Sequence, residues 1–246
     1  MKRNRLGLVV LLSICASTAA YAQAPSAQPA APEMSVDDLL RSAQTYEKRK
    51  NWKEAEYCYE KIVQKYQKEK VKNFPFLYQA YSGLGGVDLK LQDLSGADLN
   101  YREALAAAVN VYGPGNAELI KPLTTLAQVC YAQKKYSDSG TYLRQALALA
   151  ERKGGPEDVE SISIREKLAE TLERSGNYKE CESLIKQSLL LRDKIGDHSS
   201  AQVLALLNCY SDILHKTDRA SEAEQIDYQV DQIHAGKVPP TTVWKQ

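Results

Sequence analysis

Between Val36 and His234, bulky apolar side chains return every three or four residues, and small side chains return at a longer interval of 42. One small-residue series runs through Ala55, Ala97, Ser139, Cys181 and Ala223, and a second through Ala43, Gly85, Ala127, Ala169 and Ser211. Larger apolar residues keep fixed places around them. Leu39, Tyr81, Leu123 and Leu207 stand four before the second series, Leu84, Leu126, Leu168 and Tyr210 one before it, and Tyr59, Tyr101, Leu143 and Ile185 four after the first. Such spacings put the residues on one stripe of a helix. Self-similarity at one long period marks a stacked array. Each unit is therefore expected to be two antiparallel helices whose backbones come close where the small residues face each other.

Turn-forming residues fall where this scheme needs them. Lys50-Asn51, Gln92-Asp93, Gly176-Asn177 and Thr217-Asp218 are expected to turn within a unit. Asn73-Phe74-Pro75, Gly113-Pro114-Gly115-Asn116, Gly154-Gly155-Pro156 and Gly196-Asp197-His198 are expected to turn between units. Ser35-Val36-Asp37-Asp38 fits a capping box that opens the first helix. The expected units are 36–77, 78–119, 120–161, 162–203 and 204–235 of one domain, 36–235, followed by a tail, 236–246. No alternating, strand-like run is found.

This pattern resembles the tetratricopeptide repeat, whose helix pairs carry small and apolar residues at these places. The resemblance implies an all-α fold, a right-handed α-solenoid of about five helix hairpins. The family's usual period is about 34 residues, and the surplus amounts to about one extra turn on each helix. That longer form is similar to the kinesin-light-chain variety, whose units are joined by Leu-Gly-Pro-type turns. Tyr112-Gly113-Pro114-Gly115 and Gly154-Gly155-Pro156-Glu157 match that turn, and Ile195-Gly196-Asp197 matches it partly. Two residues depart from the pattern. Asp88 stands where an aromatic is expected, and Asp227 replaces an apolar residue in the last unit, as suits a terminal helix facing water.

Upstream of the repeats lies a different kind of sequence. Met1–Arg5 carries three basic residues, Leu6–Ile14 is nearly all apolar, and Ala20-Tyr21-Ala22 offers small residues at alternate positions. This reads as a bacterial-type secretory signal over 1–22, cleaved after Ala22, and so as an exported protein of the periplasm or the extracellular space. Its apolar stretch is about half the ~20 residues that span a bilayer, so no transmembrane span is expected once it is removed. Residues 23–35, rich in Pro and Ala, read as an extended linker. Of 246 residues, 43% are hydrophobic and 26% charged, which suits a folded water-soluble chain. The formal net charge of +1 lacks the cationic excess that nucleic acid demands.

Chemical motifs are absent or broken. His198, His215 and His234 show no metal-ligand spacing, so no metal is expected. Gly83-Leu84-Gly85-Gly86 lacks the third glycine and the preceding strand of a dinucleotide loop, and reads as close helix packing. Ser183-Leu184-Ile185-Lys186, with Ser211-Asp212 and Lys216-Thr217, echoes the boxes of penicillin-binding enzymes but is incomplete. Cys58, Cys130, Cys181 and Cys209 could form two bridges in an oxidising compartment, yet Cys130 and Cys181 fall on core positions and read as compact hydrophobes. The chain is not expected to be an enzyme or to carry a cofactor.

The resemblance implies that the first helix of each unit lines a concave groove able to take a peptide or a partner helix. Carried over to this sequence, the lining includes Gln44 and Lys48 from the first unit and Leu89 and Lys90 from the second. Lys121, Thr124, Gln128 and Tyr131 come from the third, and Glu166, Glu170 and Arg174 from the fourth. The fifth supplies Asn208, Asp212, His215 and Lys216. The implied role is a non-catalytic scaffold or adaptor with a protein or peptide partner. The alternatives are a structural, self-associating envelope component and, below it, a hydrolase or transferase with an unrecognised site. The register itself makes a prediction. Ala97→Leu should overpack the second hairpin and cost ~1–3 kcal/mol; an unchanged thermal melt would contradict it.

Overall fold

A computed structural model describes residues 34–69 and 72–237. The chain divides into two units, Met1–Met34 and Ser35–Gln246. The leader, the linker up to residue 33, and the tail beyond Lys237 with Trp244 lie outside the described residues. The second unit is helical, with no strand among the described residues. Its first four helices are α1 (Val36–Lys48), α2 (Trp52–Glu69), α3 (Phe74–Lys90) and α4 (Leu94–Tyr112). A short 3-10 turn, Ala117–Leu119, leads into α5 (Ile120–Ala132) and α6 (Tyr136–Gly154). Then follow α7 (Val159–Ser175), α8 (Tyr178–Lys194), α9 (Ala201–Lys216) and α10 (Ala220–His234). Each helix packs mainly on its neighbours in sequence, so the fold is an α-solenoid of five hairpins.

Helix starts follow local chemistry. Ser35 accepts from the Asp38 amide at 3.1 Å and donates its hydroxyl to the Asp38 carboxylate at 2.7 Å. Asp93, Asp158 and Ser200 cap α4, α7 and α9 in the same manner, each side chain taking a free amide of the first turn. Asn116 caps the 3-10 turn.

The two small-residue series are where the hairpins close. Ala55, Ala97, Ser139, Cys181 and Ala223 are all 0% exposed, and the residues of the other series are buried too. Cys181 shows how a larger atom is accommodated, its thiol donating to the Ala169 carbonyl at 2.9 Å. The adjacent Cys209 thiol, with burial, pushes the Cys181 thiol up, so it packs rather than reacts.

Within every hairpin the turn is the same. Lys50, Gln92, Lys134, Gly176 and Asp218 all have positive φ, at the 42-residue interval. In each case the next amide bonds back across the turn: Asn51 to Tyr46, Asp93 to Asp88, Lys135 to Cys130, Asn177 to Leu172 and Arg219 to Leu214, at 2.8–2.9 Å. This is the Schellman closure, which prefers glycine because a side chain in that conformation costs ~1–2 kcal/mol. Only Gly176 meets the preference. The third turn, at Lys134, carries none of the usual turn residues and has no sequence signal.

The apolar core runs in two stretches, Val36 to Val87 and Ala108 to Ile233. Between them α3 meets α4 through tyrosine and glycine. A Cβ on Gly85 would lie 2.8 Å from the Tyr101 ring, and one on Gly83 within 2.6 Å of the Tyr59 ring. The glycine cluster is thus a packing device. One and two repeats later, Ala127 and Ala169 occupy the place of Gly85 while Leu143 and Ile185 occupy that of Tyr101. Gly85→Ala gains ~1 kcal/mol of helix propensity but forces the ring aside, so a net loss of ~1–2 kcal/mol is expected in thermal melts. Adding Tyr101→Leu should recover most of that loss.

Candidate partner-binding groove

The first helices of three successive hairpins line a cavity of about 380 Å³. Leu40, Gln44 and Glu47 of α1 form one side, and Lys121, Pro122 and Thr125 of α5 the other. Across the floor run Tyr78, Gln79, Ser82 and Gly83 of α3. Tyr59 of α2 and Tyr101 of α4 reach the same space from the second helices, because the glycines opposite their rings leave room.

A second hollow of about 170 Å³ lies farther along, between α5, α6 and α7. Gln128, Tyr131, Lys167 and Glu170 line it, and the Tyr131 hydroxyl donates to Glu170 at 2.8 Å. The structure therefore brings together Gln44 with Lys121 in one cavity and Gln128, Tyr131 and Glu170 in the other.

The remaining sequence-derived residues are placed differently. Lys48, Lys90, Arg174 and Lys216 recur at the ends of first helices, exposed, where cations oppose the helix dipole. Lys216 is held by Glu173 at 2.5 Å. Leu89 is exposed at the end of α3, beside exposed Leu91. Thr124 returns its hydroxyl to the Ile120 carbonyl. Glu166 is taken out of the groove by Arg192 of α8, with bonds of 2.6 and 2.9 Å, and only 15% of its side chain is exposed. Asn208 and Asp212 lie exposed on α9. His215 sits 3.5 Å from Asp227, which also accepts from Ser211 at 2.6 Å.

Glu47, Gln79 and Ser82 occupy repeat positions equivalent to Tyr131, Lys121 and Thr124, so the rule that chose those residues would also have found these. Tyr59 and Tyr101 could not be found that way. Their access depends on glycine in a neighbouring helix.

The cavity's titratable groups are shifted by burial. Burial raises Glu47, partly offset by the hydrogen bond from Tyr59. Burial and then the Glu47 charge push the Tyr59 hydroxyl up, and burial followed by Asp88 and Glu47 does the same to Tyr101. Asp88 is itself buried and accepts from Asn100 at 2.8 Å. Its carboxylate fills the space beside Gly96 at the start of α4, which explains its presence where an aromatic was expected.

Three of the residues that echoed an enzyme are bonded to neighbours. Ser183 accepts from Gln187, Lys186 pairs with Glu182 at 3.2 Å, and Ser211 is bonded to Asp227. Among the described residues no group of three His, Cys, Asp or Glu side chains could hold a metal, and no helix is long and apolar enough to cross a membrane.

A family model described as tetratricopeptide repeat matches residues 76–152. Among solved structures, a Podosopora anserina protein described as having nearly identical kinesin-light-chain TPR-like repeats is similar, with a TM-score of 0.66 at 16% identity. The likeness covers 82% of this chain and 95% of that one. BtubC (BKLC) from P. vanneervenii gives a TM-score of 0.64 at 16% identity, over 82% of this chain and 80% of its own. MamA gives 0.59 at 10% identity, over 81% and 92%. No curated protein matches the sequence. At these identities the likeness shows the fold, an α-solenoid of tetratricopeptide type.

Asp88 generates a test of the groove's electrostatics. Its folded carboxyl is raised, burial first, with Asn100 opposing and Asp93 and Glu60 adding. The folded state then holds that proton more tightly than the unfolded state does. The group therefore withdraws stability as pH rises from below its ordinary range through the raised value. Asp88→Asn keeps an acceptor for Asn100 and should melt higher at pH 7. The difference should shrink as pH falls to about 3, where wild-type Asp88 is protonated in both states.

Proposed function

We propose that the chain is a non-catalytic interaction scaffold that takes an extended peptide or a helix of a partner protein in the groove lined by α1, α3, α5, α7 and α9. The observation that carries this reading is the cavity of about 380 Å³ bridging α1, α3 and α5, a concavity that no single hairpin could form. Its lining suits a peptide. Gln44, Gln79 and Lys121 are exposed donors and acceptors for a backbone, while Leu40, Pro122 and the tyrosine rings offer apolar contact. Scaffolding of protein partners is also the general use of this repeat fold, and the similar solved structures support it to that extent. The same reading places the protein outside the cytoplasm, on the strength of the basic, apolar and small-residue order over residues 1–22.

A displayed library of random peptides tests the groove directly. Selected peptides should lose about tenfold or more in affinity for Gln44→Ala with Lys121→Ala, and less for Tyr131→Ala, whose hydroxyl is already engaged by Glu170. Replacement of Tyr57, exposed on α2, should leave binding unchanged. Peptides indifferent to all the groove changes would sink the reading.

A further inference from the structure

Resting on the groove reading, the cavity between α1, α3 and α5 also bears on what kind of side chain belongs there. Three tyrosines, Tyr59, Tyr78 and Tyr101, converge with Glu47 on one cavity whose floor at Gly83 has no side chain. Gly83 cannot acquire one without displacing the Tyr59 ring, so the glycine is what lets that ring reach the cavity wall. Glu47 is half-buried and accepts from the Tyr59 hydroxyl. A partly desolvated carboxylate can accept from several donors at once and favours a cation that brings several N–H groups.

Carboxylates act on each of the three hydroxyls, beside Cys58 at Tyr59 and Tyr112 at Tyr78. Glu47 acts on Tyr59 and Tyr101, Asp88 on Tyr101 and Glu118 on Tyr78. Lys121 of α5 lines the same cavity and is exposed. Aromatic faces attract cations through their quadrupole, most strongly where water is thinned.

We propose that this cavity is a subsite for a basic side chain of the bound peptide, an arginine whose guanidinium meets Glu47 and lies against the rings of Tyr78 and Tyr101. Lys121 opposes that cation and turns the peptide's acidic or carbonyl groups outward. The subsite thus sets which residue of a partner enters and in what register.

The test uses a minimal probe, N-acetyl-arginine-N′-methylamide, and its neutral citrulline counterpart, titrated into the ¹⁵N-labelled protein. The amide signals of Gly83, Gly85 and Gly86 should move with the arginine compound and stay still with citrulline. Glu47→Gln should weaken the arginine compound by about tenfold or more, the loss of a charge-assisted contact. Lys121→Glu, a change at an exposed residue, should strengthen it several-fold and carries the test if Glu47→Gln fails to fold. Equal response to citrulline, no response to arginine, or an unchanged affinity in a folded Glu47→Gln protein would overturn the assignment. Displayed peptides that bind the groove without any basic residue would overturn it while leaving the groove reading intact. Arginine-specific shifts at the glycines with no groove-binding peptide would do the reverse.

Discussion

Everything in this solenoid depends on how closely two helix backbones can approach. At the five places where Ala55, Ala97, Ser139, Cys181 and Ala223 lie, no side-chain surface is left exposed. That closeness sets the tilt of each hairpin and so the position of its first helix relative to the next. Because interiors are packed as tightly as organic crystals, one methylene too many at any of these places is felt throughout the pair. The groove is a consequence of small residues elsewhere, not of the residues that line it.

The same closeness explains what the turns tolerate. Four of five hairpins hold a residue other than glycine in a left-handed conformation. That local cost is carried by the helix pair, whose contacts over-determine the turn. It also explains how much could be read from the amino acids alone. The two columns and their flanking apolar residues were legible because burial of a small side chain is a requirement that repeats. The turn at Lys134 was not legible, since packing rather than turn chemistry enforces it. Tyr59 and Tyr101 escaped for a related reason: their place in the cavity wall is decided by missing side chains in another helix, at Gly83 and Gly85. Asp227 was legible in outline as a terminal substitution, but its bond with Ser211, within the last hairpin, was not.

Neighbouring units are also stitched by charge, and unevenly. Lys135 reaches back to Asp98 at 2.9 Å, and two repeats later Arg219 reaches back to Glu182 at 2.7 Å, at equivalent positions. Asp98 is buried, which alone would raise its carboxyl, yet Lys135 and Arg102 hold it below its ordinary range. Such a pair stabilises the junction above the ordinary carboxylate range and is lost as pH falls. At the first junction the equivalent positions are Asp93 and Glu56, both acidic, and Glu56 is raised, by burial first and then by Glu60, Asp88 and Asp93. The first two units are therefore joined by apolar packing without that link.

This asymmetry runs along the groove as well. In the later units several polar side chains near the first helices are already paired: Tyr131 with Glu170, Glu166 with Arg192, Lys216 with Glu173, and Ser211 and His215 with Asp227. A partner binding there would have to break those bonds before making its own, and an exchange of one hydrogen bond for another gains little. Gln44, Gln79 and Lys121 carry no such internal pairing among the described residues, and the cavity they frame is floored by glycine and walled by tyrosine. The surface built on α1, α3 and α5 thus keeps unmet capacity, while the C-terminal hairpins spend many of their polar groups on holding the array together. A solenoid divided in this way can keep its curvature fixed from one end and present chemistry at the other.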